Sequence, residues 1–431
     1  MTPTLLDPGR GSAAAPTQAP DRPKRGHAVA PTTERRHWGE KPSGRPDPAG
    51  HLSPEQIDAL GRELDALRQE VMDSRGSHDA AYIRRVIATQ RGIEAVSRLV
   101  LLFSKHPSAW VLGTAGLSVA KILENMEIGH NVLHGQWDWM RDPKIHSTTW
   151  EWDHVGPASM WKRSHNELHH TFTNVIGMDD DLGYGIMRVD VDQPWEPLHL
   201  LQPLTHTLNA LTFQFGIAFY DLELRQNLAR WGELDEQQKE SFLADVKATA
   251  AKIARHVLRD YVLHPVLSGP SAVTTLQANL VANCLRNVWT NAIIICGHFP
   301  DGVQTFEIET IEGESRGEWY LRQMLGSANI SGGPLVHLMS GNLSHQIEHH
   351  MFPDVPSNRY AQIAPRVRAL MQENGLHYVT GPLPVQLASV TRKVFSLSLP
   401  NGAWADLRER PLATLRRGAS WLTSRGPARR R

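Results

Sequence analysis

Long stretches without charged side chains constrain the fold of this chain most strongly. Residues 107–123 contain one charged side chain, Lys121, and residues 197–220, 261–285 and 287–300 contain none. Runs of this length approach the roughly 20 apolar residues that a helix needs to cross a bilayer. They predict an all-α fold with a helical bundle embedded in a membrane. Buried helices of a large soluble protein are the alternative, because several runs contain Asn, Gln, Thr and Pro.

The two ends of the chain differ in composition from the middle. Residues 1–50 are rich in Pro, Gly and Arg and have few large apolar side chains, which is typical of a disordered tail. Residues 381–431 end in a cluster of arginines and are expected to form a basic tail. Between them, residues 93–380 are expected to form the main domain, and residues 221–247 a helix at the surface.

The segment 51–92 has the pattern of an amphipathic helix. Ser53 precedes Pro54, a sequence typical of a helix start, and four apolar residues follow at intervals of three to four: Ile57, Leu60, Leu64 and Leu67. The segment is therefore expected to bury one face.

Charge and cysteine content exclude two classes of function. The 45 basic side chains balance the 45 acidic ones, so no overall field attracts nucleic acid. The only cysteines, Cys284 and Cys296, lie in apolar stretches, which favours neither a disulfide scaffold nor a cysteine-based zinc site.

Histidines are concentrated in four short stretches. Two of these, "HNELHH" and "HQIEHH", share the spacing H-x3-HH, which is improbable as an accident in a chain with 22 histidines. The clustered residues are His130, His134, His165, His169, His170, His298, His345, His349 and His350. Burying so many imidazoles without a metal would leave many hydrogen bonds unmade, and the number of ligands favours two metal ions.

Two known metal motifs fit less well. A zinc-protease reading of His165 and His169 fails because Asn166 stands where the general base should follow the first histidine. A soluble di-iron carboxylate bundle would use the two Glu-x-x-His pairs that begin at Glu127 and Glu167, but it would leave the other histidines unexplained.

The three histidine clusters and their order resemble the histidine boxes of the membrane-bound fatty acid desaturase superfamily, over roughly residues 80–380. By this resemblance His130 and His134 form the first box, and His165, His169 and His170 the second. Gln346, His349 and His350 form the third, and His298 resembles the additional ligand that precedes it.

The third box departs from many family members by having Gln346 where they have histidine. His345 and Gln346 both precede His349 by a spacing that reaches its helical face, so either is expected to complete the metal shell. Asn342, one turn earlier, is expected to hold a ligand or a water molecule in place.

The resemblance implies a function. The domain at 93–380 is expected to be a histidine-box desaturase with two iron ions in a cytosolic helical cap, using O2 to introduce a cis double bond into an acyl chain carried on CoA, carrier protein or phospholipid. Electrons are expected from a ferredoxin-like protein and an NAD(P)H reductase. The resemblance implies an integral protein of the cytoplasmic membrane, in contact with lipid, with the site facing the cytosol.

Two other functions use the same residues. A lipid or alkane hydroxylase of the same superfamily differs only in the fate of one carbon radical. A non-enzymatic metal-binding membrane protein would also collect histidines, although within spans or repeats. The acidic stretch "GMDDDLGYG" is expected to be a solvated turn, with the alternative that Asp179, Asp180 or Asp181 orients histidine N–H groups.

Overall fold

Helices make up most of the computed structural model, which describes residue 44 and residues 46–403. Two three-residue strands, β1 (Asn329–Ser331) and β2 (Thr380–Pro382), pair in parallel. The α-helices are α1 (Pro54–Asp73), α2 (Ser77–Leu101), α3 (Pro107–Leu123), α4 (Asn131–Leu133), α5 (Ala158–Trp161), α6 (His170–Phe172), α7 (Gln202–Leu211), α8 (Phe213–Asp221), α9 (Leu224–Ala229), α10 (Glu236–Val257), α11 (His264–Leu267), α12 (Ala272–His298), α13 (Arg316–Leu325), α14 (Pro334–Met339), α15 (Gln346–Met351), α16 (Tyr360–Glu373) and α17 (Leu383–Leu397). The prediction of a mainly helical fold is confirmed.

Wide π-helical turns interrupt the regular helices at three places. They span Glu124–His130, Lys162–His169 and Leu258–Leu263. The first continues α3 directly into α4, and the second joins α5 to α6. Single π-turns are rare and are often found at functional sites. Short 3-10 turns lie at Asp138–Met140, Gly183–Gly185, Pro197–Leu201, Gly269–Ser271, Ile308–Ile311, Leu343–His345 and Ser357–Arg359.

The first helix begins as its sequence predicts. The Ser53 side chain accepts a hydrogen bond from the Gln56 amide, and the Gln56 side chain accepts one from the Ser53 amide. This reciprocal capping satisfies two otherwise free donors. The apolar residues of α1 are buried against α13 and α16, in a core that also contains Tyr320 and Phe352. A break at residues 74–76 separates α1 from α2.

The uncharged runs form helices with other boundaries than the sequence suggests. The runs 261–285 and 287–300 merge in α12, which continues through Arg286, while 197–220 is broken at Thr212 between α7 and α8. Helix α3 packs between α2 and α12. Within the described part of the chain, no helix has both the length and the apolar character required to cross a bilayer.

The C-terminal segment begins with a packed helix. Helix α17 buries Val390 and Val394 in a cluster with Ile293 and Phe299 of the main domain. The expected basic tail at 381–431 therefore starts with ordered structure, and its last residues lie outside the described part of the chain, as does most of the segment 1–50.

Candidate metal centre

Eight histidines from distant parts of the sequence converge in two adjoining groups. The first group contains His130, His134, His165 and His349, and the second contains His169, His298 and His350; within each group the ring nitrogens available to a metal lie within 4.8 Å of one another. His170 lies between them. Its ring centroid is 4.7 Å from that of His134 and 4.4 Å from that of His350. Asp181 forms a third, overlapping group with His165 and His169, and the number of bound ions stays a prediction.

The π-turn at Lys162–His169 brings three rings of one helix together. A regular helix places residues four apart on one face and turns the fifth away, whereas the wider turn brings residues five apart into line. The ring centroid of His165 accordingly lies 5.0 Å from both that of His169 and that of His170. All three therefore face the cluster.

Several buried ring nitrogens have no hydrogen-bond partner among the described residues. Within the cluster they are Nε2 of His134, His165 and His349, Nδ1 of His298 and both ring nitrogens of His170, and Nε2 of the neighbouring His345 is unpaired as well. Buried polar atoms are rarely left unpaired in native proteins, and such groups call for a ligand or an ion. Neutral imidazole nitrogens are good ligands for zinc, copper, iron and nickel, so the residues fit two metal ions.

Polar side chains hold the opposite nitrogen of most of these rings. The pairs with Nδ1 are His130 with Asn131 Oδ1 at 3.2 Å, His165 with Asp181 Oδ2 at 3.2 Å, His169 with Asp179 Oδ1 at 3.0 Å, His349 with the Tyr360 hydroxyl at 3.2 Å, and His350 with Thr173 Oγ1 and Gln323 Oε1 at 3.2 Å each. Such partners fix the tautomer and orientation of a metal-binding imidazole. Each of these rings can therefore present Nε2 to the centre of the cluster.

A cavity opens beside the histidines. His130, His165, His169 and His298 form part of its wall. Nine of the other sixteen wall residues are apolar or aromatic: Met126, Trp152, Trp161, Tyr184, Phe213, Ile217, Tyr220, Ile294 and Leu343. A cavity of this composition suits an aliphatic chain and excludes water from the reacting groups.

Several known proteins are similar to this chain in sequence. Residues 107–382 match the family model of fatty acid desaturases. The chain is 48% identical to an NADPH-dependent stearoyl-CoA 9-desaturase of Mycobacterium tuberculosis over 359 residues, which is 82% of this chain and 83% of that protein. It is 25% identical to an sn-1 linoleoyl-lipid 6-desaturase of Synechocystis over 280 residues, 63% of this chain and 76% of that protein.

The chain belongs to the fatty acid desaturase family. It is an oxidoreductase of lipid metabolism, so the family suggested by the histidine boxes is confirmed. The geometry of the desaturase also decides between several of the alternatives that its sequence leaves open.

The acidic stretch after the second box is not a solvated turn. Asp179 is buried and accepts hydrogen bonds from the Asn174 and Asp181 amides while it faces His169. The expectation of a solvated turn is therefore wrong for Asp179 and Asp181, and the alternative that they orient histidines holds. Although burial opposes its charge, these two carboxylates raise the pKa of His169 to about 9.

The other rings of the cluster are neutral. Burial, reinforced by the neighbouring imidazoles, holds the pKa values of His134, His165, His170 and His349 well below the usual range for histidine. Neutral imidazole is the form that binds metals. The desaturase therefore holds these four rings in the metal-binding form at neutral pH.

In the third box, Gln346 and His345 lie in different places. The Gln346 amide is 3.0 Å from His298 Nε2 and faces the cavity. His345 stacks instead on His337, with ring centroids 4.6 Å apart, and belongs to neither histidine group. Gln346, and not His345, is placed to contribute to the site.

Asn342 contacts a carboxylate where a histidine or water was expected. Its amide donates to Glu127 Oε2 at 2.9 Å, and Glu127 also accepts from Tyr82 and Ser357. Glu167 is exposed. Neither glutamate belongs to a metal-binding group among the described residues, which disfavours the carboxylate-bundle alternative.

The sequence alone did not identify four residues that contact or line the site: Gln136, Ser164, Asp221 and Tyr360. Gln136 donates to the hydroxyl of Tyr360, which in turn contacts His349. Ser164 and Asp221 line the cavity. Ser164 adjoins the second box, and this position could have drawn attention to it. Asp221 begins a charged stretch that is typical of a surface helix, so only the fold shows that it lies at the cavity.

Proposed function

We propose that the desaturase holds two iron ions in the histidine cluster and uses O2 to introduce a cis double bond into a long acyl chain. The observation that carries this proposal is the convergence of the histidine boxes, with unpartnered ring nitrogens, on the wall of an apolar cavity. Family membership supports the reaction class.

The two groups of histidines suggest which residues would hold each ion. His130, His134, His165 and His349 would hold one, and His169, His298 and His350 the other, with His170 between the two and Gln346 beside the second. Bound iron would supply the oxidising power that removes hydrogen from an unactivated carbon. The protein supplies the rest: it orients the ligands, lines up the chain and keeps water out.

The cavity would bind the acyl chain with its reacting carbons beside the histidines. Aromatic side chains such as Trp152, Trp161 and Phe213 fix its shape, and an aliphatic chain offers an enzyme little else to recognise. The relative in Mycobacterium tuberculosis, by its name, acts on stearoyl-CoA. We therefore propose an acyl-CoA substrate and a double bond near the middle of the chain.

Electrons would reach the site from a separate carrier. The same relative is named for its dependence on NADPH. A ferredoxin-like protein with an NADPH-oxidising reductase is the proposed donor.

We further propose that the desaturase is an integral protein of the cytoplasmic membrane, with the histidine cluster facing the cytosol. Large apolar side chains are exposed side by side on several helices: Val111 and Leu112 of α3, Leu204, Leu208 and Leu211 of α7, Val266 and Leu267 of α11, and Val273, Leu276 and Leu280 of α12. Contiguous exposed apolar surface of this kind marks contact with lipid or another protein. Alkaline washing of membranes that contain the protein tests the proposal, because an integral protein stays in the pellet.

The function is tested in a host that lacks its own desaturase. We expect gas chromatography with mass spectrometry to show a new mono-unsaturated acyl chain when the protein is expressed with its donor. The product should disappear in the double variant His169→Ala His170→Ala and persist in Glu167→Gln, whose side chain is exposed. A hydroxylated product would assign the chain to the hydroxylase branch of its superfamily.

A further inference from the structure

A buried carboxyl group lies in the wall of the acyl cavity. Asp221, the last residue of α8, is 2% exposed. Its Oδ1 accepts a hydrogen bond of 2.6 Å from the Ser164 hydroxyl, while its Oδ2 is buried without a hydrogen-bond partner among the described residues. Both side chains line the cavity. An aliphatic chain gives such a group nothing to bind, so the carboxyl needs another explanation.

The carboxyl belongs to a polar patch next to the second histidine box. The patch consists of Ser164, Asp181, Tyr184, Tyr220 and Asp221, all in the cavity wall. Ser164 directly precedes His165, and Asp181 Oδ2 lies 3.2 Å from His165 Nδ1. The charged groups that act on Asp221 are Asp181 and, more weakly, the guanidinium of Arg163. The patch therefore connects with the reacting end of the cavity.

Desaturation by O2 requires protons from outside. The acyl chain loses two C–H bonds and two electrons as the C=C bond forms, and the external carrier gives two more electrons. These four electrons break the O–O bond, and the two oxygen atoms become two water molecules. Two of the four hydrogens come from the chain, so two protons must enter from solution. A cavity built to exclude water needs a residue that carries them.

Resting on the proposed function, we propose that Asp221 is a catalytic proton donor, which passes protons from the polar patch to the oxygen that is reduced beside the histidines. Oδ1 is held by Ser164, which leaves Oδ2 to carry the proton into the cavity. After each transfer the carboxylate regains a proton along the polar patch, in which Tyr220 hydrogen-bonds to Asp181 and packs against Tyr184.

A role in binding the polar head of the substrate fits the position less well. The carbonyl end of a chain desaturated near its middle lies several carbon–carbon bonds from the reacting carbons. The patch instead contacts His165 through Asp181 and adjoins it through Ser164. Asp221 is therefore better placed to act on the reacting atoms than to bind the head of the substrate.

The protonation state of Asp221 agrees with the role. Burial raises its pKa to about 8, partly offset by the Ser164 hydrogen bond. The carboxyl is therefore mostly protonated at pH 7. Its pKa lies close to neutral pH, where a general acid works best.

The test compares purified full-length enzyme with Asp221→Asn, Asp221→Glu and Asp221→Ala variants, using Asp58→Asn as the control because Asp58 is exposed on α1. We expect Asp221→Asn to lower kcat by about 100-fold or more, the usual contribution of a general acid, with KM for the acyl substrate unchanged. Asp221→Glu should keep most of the activity, and formic acid should partly rescue Asp221→Ala. Asp58→Asn should behave as the wild type.

Infrared spectroscopy gives a second readout that does not need bound metal or turnover. The wild-type protein at pH 7 should show the C=O band of a neutral, buried carboxyl that Asp221→Asn lacks. An unchanged kcat, a raised KM with kcat intact, or an identical infrared spectrum would each overturn the proposal. A wild-type enzyme that forms no unsaturated product would contradict the proposed function, while the infrared comparison would still report the state of Asp221.

Discussion

Asp179 shows how one side chain can control metal binding without touching the metal. Its carboxylate faces Nδ1 of His169 at 3.0 Å and is itself held by two backbone amides. We expect Asp179→Ala to weaken metal binding by about 10–100-fold, because His169 loses the group that fixes its tautomer. Metal retained after dialysis against graded chelator, measured by mass spectrometry, reports the change.

The control for this experiment is Glu167→Gln. Glu167 is an exposed carboxylate between the histidines of the second box. Its substitution should leave the affinity for metal unchanged. Loss of metal in Glu167→Gln with retention in Asp179→Ala would instead favour a carboxylate-ligated site.

Gln346 and His345 offer a second comparison between neighbouring residues. Gln346 contacts His298, whereas His345 packs on His337. We expect Gln346→Ala to lower the metal content and activity of the purified enzyme, and His345→Ala to keep the metal content of the wild type, even if it costs stability. A lower metal content in His345→Ala than in Gln346→Ala would show that His345 completes the metal shell.

At the scale of single elements, the π-turn at Lys162–His169 positions the second box. Deleting the exposed Glu167 should convert the wide turn to a regular helical turn and move His165 about 1.5 Å along the helix axis toward His169 and His170, the rise of one residue in an α-helix. We expect the variant to keep its helical circular dichroism and to lose metal. Full metal content in the deletion variant would mean that the wide turn is not needed.

An ion pair between the buried Asp79 and the half-buried Arg359 ties α2 to the short turn that precedes α16. Arg359 donates to both oxygens of Asp79, each at 2.7 Å, and the Gly76 amide donates to the same carboxylate. Although burial opposes ionisation, these bonds hold the pKa of Asp79 below its usual value. The pair therefore stabilises the fold above the unfolded pKa of about 3.9, and the contribution is lost as the pH falls through the lower folded value.

Breaking this pair is expected to destabilise the enzyme. Asp79→Asn should lower the free energy of unfolding by about 1–3 kcal/mol at pH 7, because the hydrogen bonds of the buried side chain to Arg359 lose the charge of the carboxylate. The difference from the wild type should shrink at pH 3. Denaturant unfolding at both pH values measures this difference, and Asp142→Asn, which removes the partner of the exposed Arg84, should have little effect. A difference that is independent of pH would contradict the ionic explanation.

For the whole molecule, the sequence predicted the chemistry better than the architecture. The spacing of His165, His169 and His170 marked residues that the fold does bring together, because metal binding requires particular residue types whatever the fold. The π-turns could not be predicted, since they arise from packing and not from local preference. Asp221 was also missed: it is followed by charged residues of a surface helix, and only the position of α8 brings it to the cavity.

We propose that two iron ions bind in the histidine cluster and are required for turnover. Measuring the iron content and the turnover of the same enzyme samples tests this most directly. The purified enzyme should contain two irons per chain, lose activity on chelation, and regain it with ferrous iron but not with zinc. The amount of product per chain should follow the iron content. One metal ion per chain at full activity, or undiminished turnover by the chelated enzyme, would contradict the account.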